Sequence, residues 1–289
     1  MPTECHGGLL ESNSGNILYG MASSAAFFDL DRTLISGASA FPFGIEAWRQ
    51  GLASGADVGR WAVAAVSFKL MGDKGGSSQG VKGDLLTGIG GSSVRALESV
   101  GIAVMPKLVA RVRPEARKLI NMHHEAGRET WIVSASPHEI VDPLARSLGM
   151  TGAIGTRMKV VAGHYTGELD GPFVYGIGKA EAIEKLGSDL GYDLERSYAY
   201  SDSISDLPMM GMVGHPVAVN PDSELERVAH ERGWPIVIFA RRTKRAVAVS
   251  AMGTVATATV AGAYALGRRH GRASALARVA HQQTKLWRR

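Results

Sequence analysis

The chain has 289 residues, 45% of them hydrophobic, with a mean hydropathy of +0.00 and a formal charge of +5. Its one cysteine, Cys5, excludes an internal disulfide framework and a cysteine-based metal cluster, and fits a reducing cytoplasm. The length exceeds one ordinary domain by enough for an insertion and a tail.

Residues 1–21 are polar and glycine-bearing and lack the basic start, apolar run and cleavage site of a secretory signal, so a disordered leader is expected there. Met21, just before the first apolar run, is a candidate translation start. Ala25 to Leu30 is short, apolar and bounded by Ser23 and Ser24, which predicts a buried strand. Its carboxyl end carries Asp29 and Asp31, at the sheet edge where open α/β folds bind ligands. Two carboxylates this close repel unless a cation lies between them, which implies a hard divalent ion such as Mg²⁺. One can attack phosphorus while the other handles protons. An isolated Asp-x-Asp-x-Thr string is also an ordinary turn sequence, so later elements must decide.

About a hundred residues follow before the next motif, far more than a loop. Phe43 to Leu52, Val58 to Met71 and Val94 to Val104 have helical spacing of apolar residues, and Gly72 to Gly91 holds eight glycines in twenty residues. Phe41, Phe43, Trp48 and Trp61 are candidates to line a substrate pocket, with packing between helices the simpler use. Pro114 to Ala126 reads as a helix opened by proline and stopped by Gly127.

Trp131 to Val133 predicts a second buried strand with Ser134 at its tip, where a small hydroxyl suits a phosphate oxygen or, taken alone, a local cap in a plain strand-to-helix turn. Ser136-Pro137-His138-Glu139 matches a capping box with proline at the first helical position. Ala162-Gly163 sits between alternating segments as a hairpin turn, with His164 on its surface. Lys179 falls in the first turn of an amphipathic helix, where a cation opposes the helix dipole. A reason outside the helix is implied, such as neutralising charge around a nucleophile and a phosphate, with a solvated surface lysine as the plain alternative. Ser197 to Tyr200 is another short strand, followed by Asp202 and Asp206 around a tight turn. Asp202 is placed as a further metal ligand, and Asp206 to orient Lys179 or a metal-bound water, with a turn that caps a short helix through Met212 as the alternative. Val217 to Val219 and Ile236 to Phe239 supply the last strands, and the alternation predicts a parallel sheet with helices on both faces.

These four motifs, in this order, resemble the haloacid dehalogenase superfamily of aspartate-nucleophile phosphohydrolases, in the branch that contains phosphoserine phosphatase. The resemblance spans roughly residues 22–239. It implies an α/β Rossmann-like core (22–36 and 107–240) with a small α-helical cap (37–106) inserted after the first motif. It assigns Asp29 as nucleophile, Asp31 as general acid/base, Ser134 with Ala135 and Lys179 as the phosphate-binding set, and Asp202 and Asp206 as the acidic pair. Mg²⁺ is then held by Asp29, the backbone carbonyl of Asp31, and Asp202. The implied reaction is two in-line displacements on a small phosphorylated substrate through an aspartyl-phosphate.

Four positions, in two places, depart from phosphoserine phosphatase. Ala38 stands where that enzyme carries a glutamate for the substrate ammonium, and Ser201, Ser203 and Ser205 replace the glycines and asparagine of its fourth motif. Phosphate-ester hydrolysis is expected, with weak activity on phosphoserine. A phosphotransferase, a lipid-phosphate phosphatase and a non-enzymatic scaffold are the alternatives. The presence of every acid and the lysine argues against the scaffold, because unpaired clustered acids cost stability.

The tail, 241–289, holds eleven Lys or Arg and no acid, so the rest of the chain is net acidic with 27 Asp and Glu. Ala246 to Gly267 is 22 residues without a charge but rich in alanine, glycine and threonine. It is a candidate membrane helix, or its basic flanks are a surface anchor on anionic lipid. A basic arm meeting nucleic acid is set behind both, since beyond Tyr264 and Trp287 the tail has no aromatic residue for stacking.

Overall fold

The computed structural model describes residues 23–53, 82–83 and 86–239. The leader, the expected helix at 58–71, Trp61, most of the glycine-rich stretch and the tail with 246–267 lie outside the described residues. Among the described residues no helix is long and apolar enough to cross a membrane.

Six parallel strands form the central sheet in the order β3-β2-β1-β6-β7-β8. They are β1 (Ala25–Asp29), β2 (Glu129–Pro137), β3 (Gly152–Thr156), β6 (Tyr198–Ser201), β7 (His215–Val219) and β8 (Ile236–Val237). β1 is central and wholly buried, as its unbroken apolar run requires when both faces are covered.

The period of two along β1 divides the core. Ala26 and Phe28 join one apolar cluster, Ala25 and Phe27 the other. The Phe28 face packs against α1 (Ala40–Arg49), α2 (Val94–Val109), α3 (Pro114–Glu125) and α4 (His138–Ser147), through residues such as Phe43, Leu97, Ile120 and Leu144. The Phe27 face packs against α5 (Ile177–Leu190), α6 (Leu207–Met210) and α7 (Ser223–Arg232), through Ile183, Met209 and Leu225. The doubly covered parallel sheet is the architecture the sequence predicts.

Local signals held where they were self-contained. Pro114 opens α3 at its first position, and Gly127 follows its end at φ 69. Ala162 (φ 50) and Gly163 (φ 78) turn β4 (Met158–Val161) into β5 (His164–Leu169), a separate antiparallel pair. α2 runs on through Pro106 to Val109, across the 106/107 boundary, and the chain returns to the core where Arg113 N–H donates to the Leu34 carbonyl.

One expectation fails. Ser136 and Glu139 form no capping box: β2 continues through Pro137, which is the N-cap rather than the first helical residue. The partners are taken elsewhere, since Ser136 Oγ lies 3.0 Å from Ser39 Oγ and Glu139 Oε1 accepts from Tyr165 Oη at 2.8 Å. Of the three aromatic candidates among the described residues, Phe43 is buried, while Phe41 and Trp48 are 40% and 54% exposed. They sit on the outward side of α1, so packing among the described helices does not account for them.

His123, on α3, is fully buried beside the stacked rings of Phe28 and Tyr200. Its Nε2 lies 2.8 Å from Tyr200 Oη and its Nδ1 3.4 Å from an Arg128 guanidinium nitrogen. Burial, then the Arg128 charge, push the imidazole down from 6.5 to about 4. The unfolded chain therefore binds more protons between those values, and stability is lost as pH falls through that window. His123→Gln is expected to flatten this loss by on the order of 2 kcal/mol relative to wild type in urea unfolding between pH 6.5 and 4. Parallel pH profiles for the two proteins would contradict it.

Candidate active site

The register of the sheet brings the first, second and fourth motifs to one edge. Asp29 pairs with Val133 on β2, so Ser134 lies just beyond it. Phe28 pairs with Tyr200 on β6, which sets Ser201 level with Asp29 and Asp202 one step further out. β1 and β6 end at this edge and β2 runs on past it to Pro137, the three strands being parallel and in register there.

The third motif arrives from above. Asp29 shares a strand face with Phe27, the face that α5 covers with Ile183. Lys179 is one helical turn before Ile183, so the packing that buries Ile183 hangs Lys179 over Asp29. Two glycines permit this approach. Gly176 takes φ 55, ψ −119, and a Cβ at Gly178 would lie 2.0 Å from the Phe173 carbonyl oxygen.

Lys179 Nζ donates to Asp29 Oδ1 at 2.6 Å and to Asp206 Oδ2 at 2.7 Å, and its side chain is 4% exposed. Ser201 Oγ donates to the same Asp206 oxygen at 2.6 Å and accepts from Ser203 N–H at 3.2 Å. Burial raises Asp29 to about 7 against the pull of Lys179. Burial alone would lower the Lys179 ammonium, but Asp206 and Asp29 outweigh it and hold it above its usual value. This is the external reason for a lysine at a helix start.

Asp202 is 3% exposed, and burial, then Asp29, raise it to about 8. Arg32 Nε lies 2.8 Å from its Oδ2, and Thr33 Oγ1 donates weakly to its Oδ1 at 3.5 Å. Despite that ion pair, Oδ2 has no directed hydrogen-bond donor. Asp222 secures the turn from outside, accepting from Ile204 N–H and Leu225 N–H.

Asp31 is held apart from Asp29. Ser39 N–H donates to its Oδ1 at 2.7 Å and Ser39 Oγ to its Oδ2 at 3.1 Å, while burial raises its pKa. Ser134 Oγ accepts from Ser136 N–H at 3.2 Å, which leaves its proton to donate; Ala135 beside it is part-buried. The geometry thus gathers Asp29, Lys179, Asp206 and Ser201 in direct contact, with Asp202, Asp31 and Ser134 around them. Arg32, Thr33, Ser39, Ser136 and Asp222 took no part in the sequence-based site. Asp222 carries a readable sign, as a helix N-cap before α7, and Ser136 one that points to a cap rather than to the site.

A divalent ion fits this donor set. Among the described residues Asp29, Asp31, Asp202 and Asp206 face two cations, Lys179 and Arg32, which leaves a formal excess of negative charge on hard oxygens. Among the described residues no three His, Cys, Asp or Glu side chains group as a ready metal cage. Mg²⁺ asks less, since it is usually held by one or two carboxylates and keeps several waters.

Removing one partner of a buried charged group strands the other. Lys179→Met is expected to lose about 3 kcal/mol of stability at pH 8, with the loss shrinking toward pH 5 as the stranded Asp29 carboxylate protonates. Chemical unfolding at the two pH values checks this, and a pH-independent loss would count against it.

Comparison with known proteins gives the family of the chain. The family model of haloacid dehalogenase-like hydrolases matches residues 26–211. A probable phosphatase of Mycobacterium tuberculosis is 41% identical over 83% of this chain and 84% of its own length. A phosphoserine phosphatase of the same organism is 37% identical over 84% of this chain and 79% of its own. Among solved structures, a Bordetella pertussis protein of unknown function superposes with a TM-score of 0.66 at 26% identity, covering 75% of this chain and 98% of that one. A substrate-bound phosphoserine phosphatase shares the fold, with a TM-score of 0.56 at 19% identity over 79% of this chain and 98% of that one. The chain therefore belongs to the haloacid dehalogenase-like hydrolases and is one of their phosphatases, a phosphoric monoester hydrolase.

Proposed function

We propose that the chain is a Mg²⁺-dependent phosphatase that hydrolyses a small phosphate monoester through an aspartyl-phosphate on Asp29. The observation that carries this reading is the buried contact of Lys179 with both Asp29 and Asp206. A carboxylate is a poor nucleophile toward an anionic phosphate unless the surrounding charge is neutralised. Lys179 supplies that neutralisation and fixes one oxygen of Asp29, which restricts its rotation.

Asp29 attacks phosphorus while Asp31 gives its proton to the departing alkoxide. Asp31 then takes a proton from the water that opens the acyl-phosphate, and phosphate leaves with Asp29 restored. The raised pKa of Asp31 supports its starting as the acid, and the two bonds from Ser39 hold it clear of Asp29. Ser134 and the backbone at Ala135 receive phosphate oxygens, and Asp206 steadies Lys179. Mg²⁺, held by Asp29, the Asp31 carbonyl and Asp202, would supply charge neutralisation for the phosphate.

The insertion at 37–106 acts as a cap whose lining selects the leaving group. Ala38 offers no charge for a substrate ammonium, which supports a substrate other than free phosphoserine even though a relative bears that name. The lone Cys5 supports a cytoplasmic setting, and the basic tail supports contact with an anionic lipid surface.

Turnover of p-nitrophenyl phosphate is expected to require Mg²⁺ and to fall at least ~10³-fold in Asp29→Asn, by loss of the covalent step. Undiminished turnover in that variant, or turnover in excess chelator, would sink the proposal. In a panel of phosphate esters, kcat/KM for phosphoserine is expected to lie at least ~10-fold below the best substrate, about the discrimination one missing charged contact gives. Phosphoserine as the best substrate would reverse the reading of Ala38.

A further inference from the structure

Arg32 has no part in the chemistry above, yet the chain is bent to place it. Its backbone is left-handed (φ 65), a conformation that favours glycine, and its Nε lies 2.8 Å from Asp202 Oδ2. Thr33, the next residue, reaches the other oxygen of the same carboxylate at 3.5 Å. Both oxygens of Asp202 are therefore faced by consecutive residues of the first motif. The carboxylate is 4% exposed and the arginine 44%, so a cation reaches from the solvent side onto a buried anion.

The contact is one of charge rather than of a directed hydrogen bond, because Asp202 Oδ2 has no hydrogen-bond partner. A bidentate guanidinium fork would hold the carboxylate far more firmly. An arginine in this pose neutralises Asp202 and remains able to leave.

We propose that Arg32 is a stand-in cation: it neutralises Asp202 when no metal is bound, and it must give up that contact for a divalent ion to load. This rests on the reading of Asp202 as a metal ligand. A divalent ion on Oδ2 would place two cations on one oxygen, within a few ångströms of each other. An ion on Oδ1 would still lie a few ångströms from the guanidinium and be repelled by it. Metal loading thus releases Arg32 toward solvent at the mouth of the site. The arginine sets the metal concentration at which the enzyme switches on.

The test is Mn²⁺ binding to the metal-stripped full chain, read from the free-ion EPR signal. Arg32→Gly, which suits the positive φ, and Arg32→Gln are both expected to bind Mn²⁺ at least fivefold more tightly than wild type, while Asp202→Asn binds at least tenfold more weakly. If Asp202→Asn weakens binding but both Arg32 variants bind as wild type or worse, the stand-in role is wrong and the metal site survives. If wild type binds no Mn²⁺, or Asp202→Asn binds as well as wild type, the metal reading falls and takes the proposal with it. A wild-type measurement covers variants that fail to fold. The Arg32 Nε–H NMR signal, assigned by its absence in Arg32→Lys, is expected to shift and broaden on Mg²⁺ addition, and an unchanged signal overturns the proposal.

Discussion

The structure turns on one ammonium group held in the interior between two carboxylates. Lys179 reaches Asp29 and Asp206 within 2.7 Å, and its side chain is almost wholly removed from water. Burying any one of these charges alone would cost several kcal/mol, so none of them is tolerable without the others. The three come from β1, from the first turn of α5 and from the turn after β6. The sheet order and the packing of Ile183 against the Phe27 face are what bring them together. Folding and site assembly are therefore the same event on this side of the sheet.

Around that group the serines do what a glycine-rich turn would do by backbone freedom. Ser201 donates to Asp206 and accepts from Ser203 N–H, and Ser205 Oγ donates to Ser203 Oγ at 3.1 Å. The fourth-motif turn is thus fixed by side-chain hydrogen bonds, with Asp222 gripping it from the next helix. On the other side, Ser39 binds both oxygens of Asp31 and touches Ser136 at the end of β2. Ser39 also precedes α1, the first helix of the insertion, so the carboxylate proposed to move protons is tied to the chain leading into the proposed cap. Rotation of α1 would be felt at Asp31.

What could be read from the residues alone was whatever is encoded locally. Asp29 and Asp31 after an apolar run, Pro114 and Gly127 around a helix, and Ala162-Gly163 in a hairpin each state their geometry within a few positions. Lys179 was readable for a different reason: it violates the dipole preference of its helix, and the violation pointed to partners elsewhere. The capping box at Ser136 misled because its two side chains are claimed by Ser39 and Tyr165, which are distant in sequence. Arg32 and Thr33 were silent for the same reason, since Asp202 is their partner only once β1 and β6 lie side by side.

The central claim is that the Asp29 carboxylate, steadied by Lys179, takes the phosphoryl group. Borohydride reduction during steady-state turnover traps an acyl-phosphate by converting its aspartate to homoserine, which peptide mass spectrometry locates. The account predicts homoserine at position 29, dependent on substrate and absent from position 31. Steady phosphate release with position 29 unmodified, or with the label at Asp31, would contradict it.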